Sequence, residues 1–414
     1  MSQTILSHTF ANGLVLVAQP MSSLQSAAFT FLVPAGCVYD PAAAGGLSSF
    51  ACEMALRGAG ERDSRQFVLD LDNLGVERSE AVFDSHTSYS GATLAENLPA
   101  ALAVYADVLQ RPHLPAEQLE AARLVMFQEL RAVDDEPSQK AMIELRRRYY
   151  PKPWGRPSQG DEEALAAIDD EAIRDFVDRH YRPNGTILGV AGRVDWEQLK
   201  DCVERALGGW QPRPEQPIVA ISAPVKYEHI DYSSNQTQVG IAYPTVPYRH
   251  PQYFTAWGAV GVLSGGMSAR LFTEVRERRG LCYSVYASYH SLRELAGVFC
   301  YAGTSAERAQ ETLDVTVGEL LRLAEGVESH EVVRLKARIK SSLIMQQESS
   351  SSRSSSLARD WYHLGYARTL EEVGRQIDAL TSEGISAYLV ENPPRDFTIV
   401  TLGPAELEVP VGVS

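Results

Sequence analysis

Alternating and helically spaced apolar positions divide the chain into short strands and amphipathic helices. Residues 5–18 mix β-branched and apolar side chains around Ala11-Asn12-Gly13, an Asn-Gly turn that predicts a hairpin. Residues 27–33 read as a further strand. Gly45-Gly46-Leu47-Ser48 then opens a helix with Leu47, Phe50, Ala51, Met54 and Ala55 on one face. Two more helices are expected over 98–109 and 115–133, the second with Pro and acids in its first turn.

The pattern repeats at domain scale. Residues 168–192 read as a helix (Ile173, Phe176, Val177), a break at Arg182-Pro183-Asn184, a strand and a glycine. Residues 377–403 give the same order, with Ile385, Tyr388 and Leu389 on the helix. A second match pairs Gly45-Gly46-Leu47-Ser48 with Gly265-Gly266-Met267-Ser268, each expected to follow a strand and start a helix. Matches about 210 to 220 residues apart indicate one internal duplication rather than a short-period solenoid. The fold expected is α+β: two homologous domains, each an antiparallel-rich sheet backed by helices. Their boundaries are placed at 1–212 and 225–414, around a Pro-rich linker at 213–224. The run 349–356 is serine except for Arg353, and reads equally as a polar helix or as a disordered loop.

Composition narrows the class. The 414 residues are 44% apolar and 22% charged, which excludes collagen-like, fibrous and wholly disordered chains. With 38 basic against 53 acidic residues the net charge is −15, so nucleic acid and membrane surfaces are not expected partners. No apolar run reaches the ~18 residues of a membrane helix; the best stretch, 27–38, is interrupted by Thr30, Pro34 and Gly36. The first basic residue is Arg57, so a secretory signal is not expected. Five scattered cysteines, odd in number and without C-x-x-C, suit reduced thiols. The expectation is a soluble cytoplasmic protein.

Several motifs carry a resemblance. Asn12-Gly13-Leu14, Ala35-Gly36-Cys37-Val38-Tyr39-Asp40-Pro41, Gly46-Leu47, Gly155-Arg156-Pro157 and Tyr181-Arg182-Pro183-Asn184 resemble the pitrilysin/insulinase family of zinc peptidases. So do Ser268-Ala269-Arg270-Leu271-Phe272 and Arg279-Gly280-Leu281-Cys282-Tyr283-Ser284. Active members carry H-x-x-E-H on the helix after that Gly-Leu. Two histidines at i and i+4 bind Zn²⁺, the Glu between them acts as general base, and a downstream Glu is the third ligand. Here the matching stretch is Ser49-Phe50-Ala51-Cys52-Glu53. Ser49 and Glu53 replace the histidines, Cys52 replaces the base, and Glu129 alone matches an original ligand. The nine histidines show no H-x-x-x-H or C-x-x-H pairing, so no metal site is expected in this chain.

The resemblance also implies an Arg and a Tyr seven residues apart in the second half, which reach the zinc site. Arg276 and Tyr283 match that spacing. A Tyr hydroxyl and a guanidinium can stabilise the negative oxygen of a tetrahedral intermediate. The bland alternative is a salt-bridged helix end, since Glu274 and Glu277 alternate with Arg276, Arg278 and Arg279, with Tyr283 as a packing aromatic. Some bacterial members are split into a zinc-bearing chain and an Arg/Tyr-bearing chain. The resemblance therefore implies the second kind: a subunit inactive alone, with zinc, water and base supplied by a homologous partner and a peptide as substrate. Two other readings compete. One is a structural or peptide-presenting subunit, like processing-peptidase α-subunits or respiratory-complex core proteins; the other is a degenerate metal enzyme using Cys52, Glu53 and Glu129.

Overall fold

The computed structural model describes residues 3–220 and 226–410. Residues 211–220 are without regular structure, and 221–224 of the expected linker lie outside the described residues. The chain forms two compact units that are not contiguous in sequence. The first comprises 1–132, 156–220 and 344–370; the second comprises 133–155, 221–343 and 371–414. A contiguous division at 212 thus misassigns two segments, and the reason lies in the packing of two helices described below.

The first unit holds a six-stranded sheet in the order Leu6–Thr9, Val15–Pro20, Ile187–Gly192, Ser26–Val33, Thr87–Leu94, Glu77–Val82. Only the pairing of Val15–Pro20 with Ile187–Gly192 is parallel. The first two strands form the expected hairpin. Gly13 takes φ +88° in its turn, and the Asn12 amide donates to the carbonyls of Leu207 (2.8 Å) and Trp210 (3.2 Å).

The second unit holds five strands in the order Cys282–Ser291, Ala296–Ser305, Gln236–Pro244, Thr398–Gly403, Tyr227–Asp231. Its one parallel pair, Thr398–Gly403 with Tyr227–Asp231, occupies the same place as in the first sheet. The two sheets therefore share one five-strand order, and the first adds Leu6–Thr9 at its edge. The expected glycine match is corrected by this topology. Gly265-Gly266 follows the helix Tyr253–Ser264, not a strand, so it is not equivalent to Gly45-Gly46 before the helix Leu47–Ala55. The equivalent glycines are Gly75 (φ +60°) and Gly280 (φ +57°), each leading from a helix into an edge strand.

Both faces of each sheet are covered. Strand alternation points Leu16, Ala18, Phe29, Phe31 and Val33 into a core shared with Phe50, Met54 and Tyr105. The opposite face presents Val15, Val17, Leu32 and Ile187 to Leu357 and Ala358 of the helix Ser350–Leu364. This helix contains the serine run, so the loop alternative is set aside. Ser349 caps it by accepting from Ser352 N (3.2 Å), and the small side chains let it lie close on the sheet. Thr30 Oγ1 is 3.0 Å from Ser354 Oγ, and a Cβ on Gly189 would stand 2.3 Å from the Ser354 carbonyl oxygen. In the second unit the helix Pro137–Tyr149 does the same, with Leu145 against Gly240 and Tyr149 against Gly297. Each sheet is thus roofed by a helix from the other half of the sequence.

Gly189→Ala is expected to cost about 1–3 kcal/mol through overpacking. Gly318→Ala, in the helix Ala309–Arg322 with nothing within 4 Å of the new Cβ, is expected to gain up to about 1 kcal/mol. Urea denaturation of both variants checks the contrast.

The helix Asp170–His180 ends on His180, which is buried with its ring 4.5 Å from that of Tyr39. Burial, with Arg182 and Arg179 nearby, lowers its pKa to about 4. The folded state thus holds His180 neutral, and protonation favours the unfolded chain as pH falls below its unfolded pKa of about 6.5. Stability present above that value is expected to decline towards pH 4 by up to about 3 kcal/mol. His180→Phe should show a smaller loss than the parent when denaturation midpoints at pH 7 and pH 4.5 are compared.

Candidate functional site

The zinc-motif positions lie on the helix Leu47–Ala55, whose start is fixed by Asp40. The Asp40 carboxylate accepts from Gly46 N and Ser48 N, both at 2.9 Å. Ser49 Oγ donates to the Ser158 carbonyl (2.8 Å). Cys52 points into the core beside the Tyr89 hydroxyl, which is 2.7 Å from that of Tyr181. Burial pushes the Cys52 thiol up to about 12, so it stays protonated and cannot replace a general base. Glu53 is held by Arg57, through Nη2 (2.7 Å) and Nε (3.1 Å). Glu129, on the helix Leu119–Asp134, has its carboxyl pushed up by partial burial and then by the Glu53 charge.

Zinc is the ion the motif would bind, and these residues do not fit it. The hydroxyl is committed to a carbonyl, the thiol is buried and protonated, and one carboxylate is neutralised by a guanidinium. Among the described residues no three His, Cys, Asp or Glu side chains are grouped to hold a metal. The degenerate-metal reading through Cys52, Glu53 and Glu129 therefore has no geometric support.

Arg276 and Tyr283 lie together in the second unit, presented by three local departures from regular structure. Phe272–Arg278 winds as a π-helix, a form that recurs at functional sites. Gly280 then takes its left-handed turn. The edge strand begins with a bulge: Cys282 pairs with Thr304 and Ser284 with Gly303, leaving Tyr283 as the extra residue. Bulges re-aim a side chain, and Tyr283 is 84% exposed, so it is not a packing aromatic. The Arg276 guanidinium carbon lies 4.7 Å from the centre of the Phe272 ring and 4.9 Å from that of Tyr283. Stacking on two rings limits its rotamers without consuming its hydrogen-bond donors.

The neighbouring arginines behave differently. Glu274, 9% exposed, accepts from Arg278 Nη1 (2.7 Å) and Arg279 Nη1 (3.1 Å), and Arg322 stands 3.8 Å away. The salt-bridge reading of this segment thus describes Arg278 and Arg279, whereas among the described residues no carboxylate pairs with Arg276. From the sequence, Phe272 entered only as part of a motif and Glu274 only in the salt-bridge alternative, and neither was given a place at the site. The i to i+4 spacing of Glu274 and Arg278 was the available signal for the second.

Comparison with known proteins agrees with this architecture. Residues 16–157 match the insulinase (peptidase family M16) model, and residues 167–339 match the model described as the peptidase M16 inactive domain. The chain belongs to the insulinase family, as a member without the zinc motif. An uncharacterized zinc protease of Bacillus subtilis is 26% identical over 408 residues, covering 96% of this chain and 98% of the relative. One from Rickettsia felis is 27% identical over 382 residues, covering 90% and 91%. The solved structure of a peptidase M16 inactive domain from Pseudomonas fluorescens aligns with a TM-score of 0.88 at 21% identity, covering 98% of this chain and 99% of that one. A chain of complex III2 from Candida albicans aligns with a TM-score of 0.82 at 16% identity, covering 97% of each chain. Both structures share the fold.

Proposed function

We propose that this chain is the non-zinc subunit of a two-chain zinc peptidase, contributing Arg276 and Tyr283 to peptide hydrolysis at a homologous partner's metal. The observation that carries this reading is the pairing of a half-buried, ring-stacked Arg276 and an exposed Tyr283 with a zinc motif whose positions are all otherwise engaged. When bound in the partner, zinc supplies a polarised carbonyl and an activated water. Tyr283 donates its hydroxyl hydrogen to the oxygen on which negative charge develops. Arg276 offers guanidinium hydrogens to that oxygen or to an adjacent peptide carbonyl. The reading places the chain in the cytoplasm; no described helix is long and apolar enough to cross a membrane, and the cysteines are free.

The test mixes this chain with a zinc-motif homologue from the same genome and follows cleavage of a fluorogenic peptide library. Activity in the mixture, and in neither chain alone, supports the proposal. Absence of both activity and a complex on a sizing column overturns it. The structural-subunit alternative, to which the fold shared with a complex III2 chain lends support, expects a complex whose properties do not depend on Arg276 or Tyr283.

A further inference from the structure

The strand Cys282–Ser291 is an edge of its sheet. It pairs with Ala296–Ser305 on one side, and among the described residues no strand pairs with the other. Its outer backbone donors and acceptors are therefore available to an added strand. Edges are commonly guarded by charge or proline, yet residues 284–291, after the bulge, contain no Lys, Arg, Asp, Glu or Pro.

A second arginine stands over this strand. Tyr286 pairs in register with Tyr301, and Ser288 with Phe299, so these four side chains share one face. The Tyr286 and Tyr301 rings are 5.3 Å apart, and the exposed Arg146 places its guanidinium carbon 5.9 Å from the Phe299 ring centre. Its charge draws the Tyr286 hydroxyl pKa down against the larger upward push of burial. Beside it on the same helix, Arg147 and Arg148 are paired with Glu144. Among the described residues Arg146, like Arg276, has no carboxylate partner. Two uncommitted guanidinium groups thus flank one free strand, separated by three to five residues of register, or about 10–17 Å.

The other copy of the fold supplies an internal comparison. The topologically equivalent edge strand, Glu77–Val82, carries Glu77 and Glu80, and its Arg78 is paired with Glu80 at 3.0 Å. There the cation is occupied and the edge is charged. In the second unit the carboxylates are absent, and tyrosines and free cations stand in their place.

We infer that Cys282–Ser291 is a docking strand for an extended acidic peptide, whose backbone pairs with this edge while a carboxylate meets Arg146 and Tyr286. The inference takes from the proposed function only that a peptide passes Arg276 and Tyr283, and it adds a substrate class and a specificity-determining pair. A Glu or Asp side chain and a C-terminal carboxylate offer the same chemistry, so the test separates them.

The experiment measures fluorescence anisotropy of fluorescein-labelled octapeptides with the full chain alone. Four peptides are used: alternating Val and Glu with an amidated C-terminus, its Gln counterpart amidated, the Gln counterpart with a free C-terminus, and a Lys counterpart. The Glu peptide is expected to bind roughly tenfold more tightly than the amidated Gln peptide, with added salt narrowing the gap. Tight binding of the Gln peptide with a free C-terminus would assign the site to chain ends instead of side chains. Arg146→Gln is expected to erase the preference and Tyr286→Phe to reduce it. Arg375→Gln, at an exposed position on the helix Leu370–Asp378, should leave it intact. Equal binding of the Glu, Gln and Lys peptides, no binding of any, or an undiminished preference in Arg146→Gln would overturn the inference. The assay needs neither zinc nor a partner. Acid-selective binding without hydrolysis in the mixture would sink only the co-subunit proposal, and hydrolysis indifferent to acidic residues would sink only the docking strand.

Discussion

Replacing Arg276 by alanine is expected to slow peptide cleavage by the mixed complex by roughly 10²–10³, and Tyr283→Phe by a similar factor. Under the proposed function each removes a donor aimed at charge that exists only in the transition state, so kcat should fall while KM changes little. The surroundings make the effect attributable. Tyr283 is the extra residue of a bulge and is 84% exposed, so loss of its hydroxyl removes no core contact. Arg276 is half-buried against Phe272 and Tyr283, and among the described residues it holds no ion pair whose loss would unfold the segment. Arg278→Ala is the matched control, because Arg278 is committed to Glu274. An unchanged kcat in Arg276→Ala, beside a normal complex, would leave a scaffold as the role of this chain.

Residues 1–220 expressed alone are expected not to fold, even though they include all six strands of the first sheet. Without the helix Ser350–Leu364, the face carrying Val17, Ile187 and Ala191 is bare, and buried Gln19 loses its bond from Arg353 Nε (2.5 Å). Uncovering one large aliphatic side chain costs roughly 2 kcal/mol, and several are uncovered together against a total domain stability of about 5–15 kcal/mol. Residues 226–414 lack the helix Pro137–Tyr149 in the same way. Co-expression of the two pieces is expected to restore a cooperative thermal transition that neither shows alone. A sharp melt from 1–220 by itself would show that the exchanged helix is dispensable.

The sequence made some of this legible and hid the rest for physical reasons. The α+β class and the duplication could be read because the stretches 168–192 and 377–403 each fold by local rules, an acid-capped or Thr-capped helix turning into a buried strand. Erasure of the zinc site was plain in Ser49, Cys52 and Glu53, since side-chain chemistry alone excludes two imidazoles there. The glycine match failed because Gly265-Gly266 has the composition of Gly45-Gly46 in a different setting, the end of a helix rather than its start. Helix exchange was invisible: the apolar stripe of Leu357 and Ala358 says that a surface is covered, not which one. The π-turn at Phe272–Arg278 and the bulge at Tyr283 add single residues to otherwise regular elements, and periodicity does not register one residue.

The exchanged helix also sets a schedule for synthesis. The last strand of the first sheet, Ile187–Gly192, leaves the ribosome about 170 residues before the helix Ser350–Leu364 is complete. At roughly 5–20 residues per second that is an interval of about ten to thirty seconds. Throughout it the nascent chain carries all six strands of that sheet without the helix that covers them, and the side chains of Val17, Ile187 and Ala191 have no partner to pack on. Cells short of nascent-chain chaperones should therefore lose this protein to aggregation during translation, while molecules already completed survive.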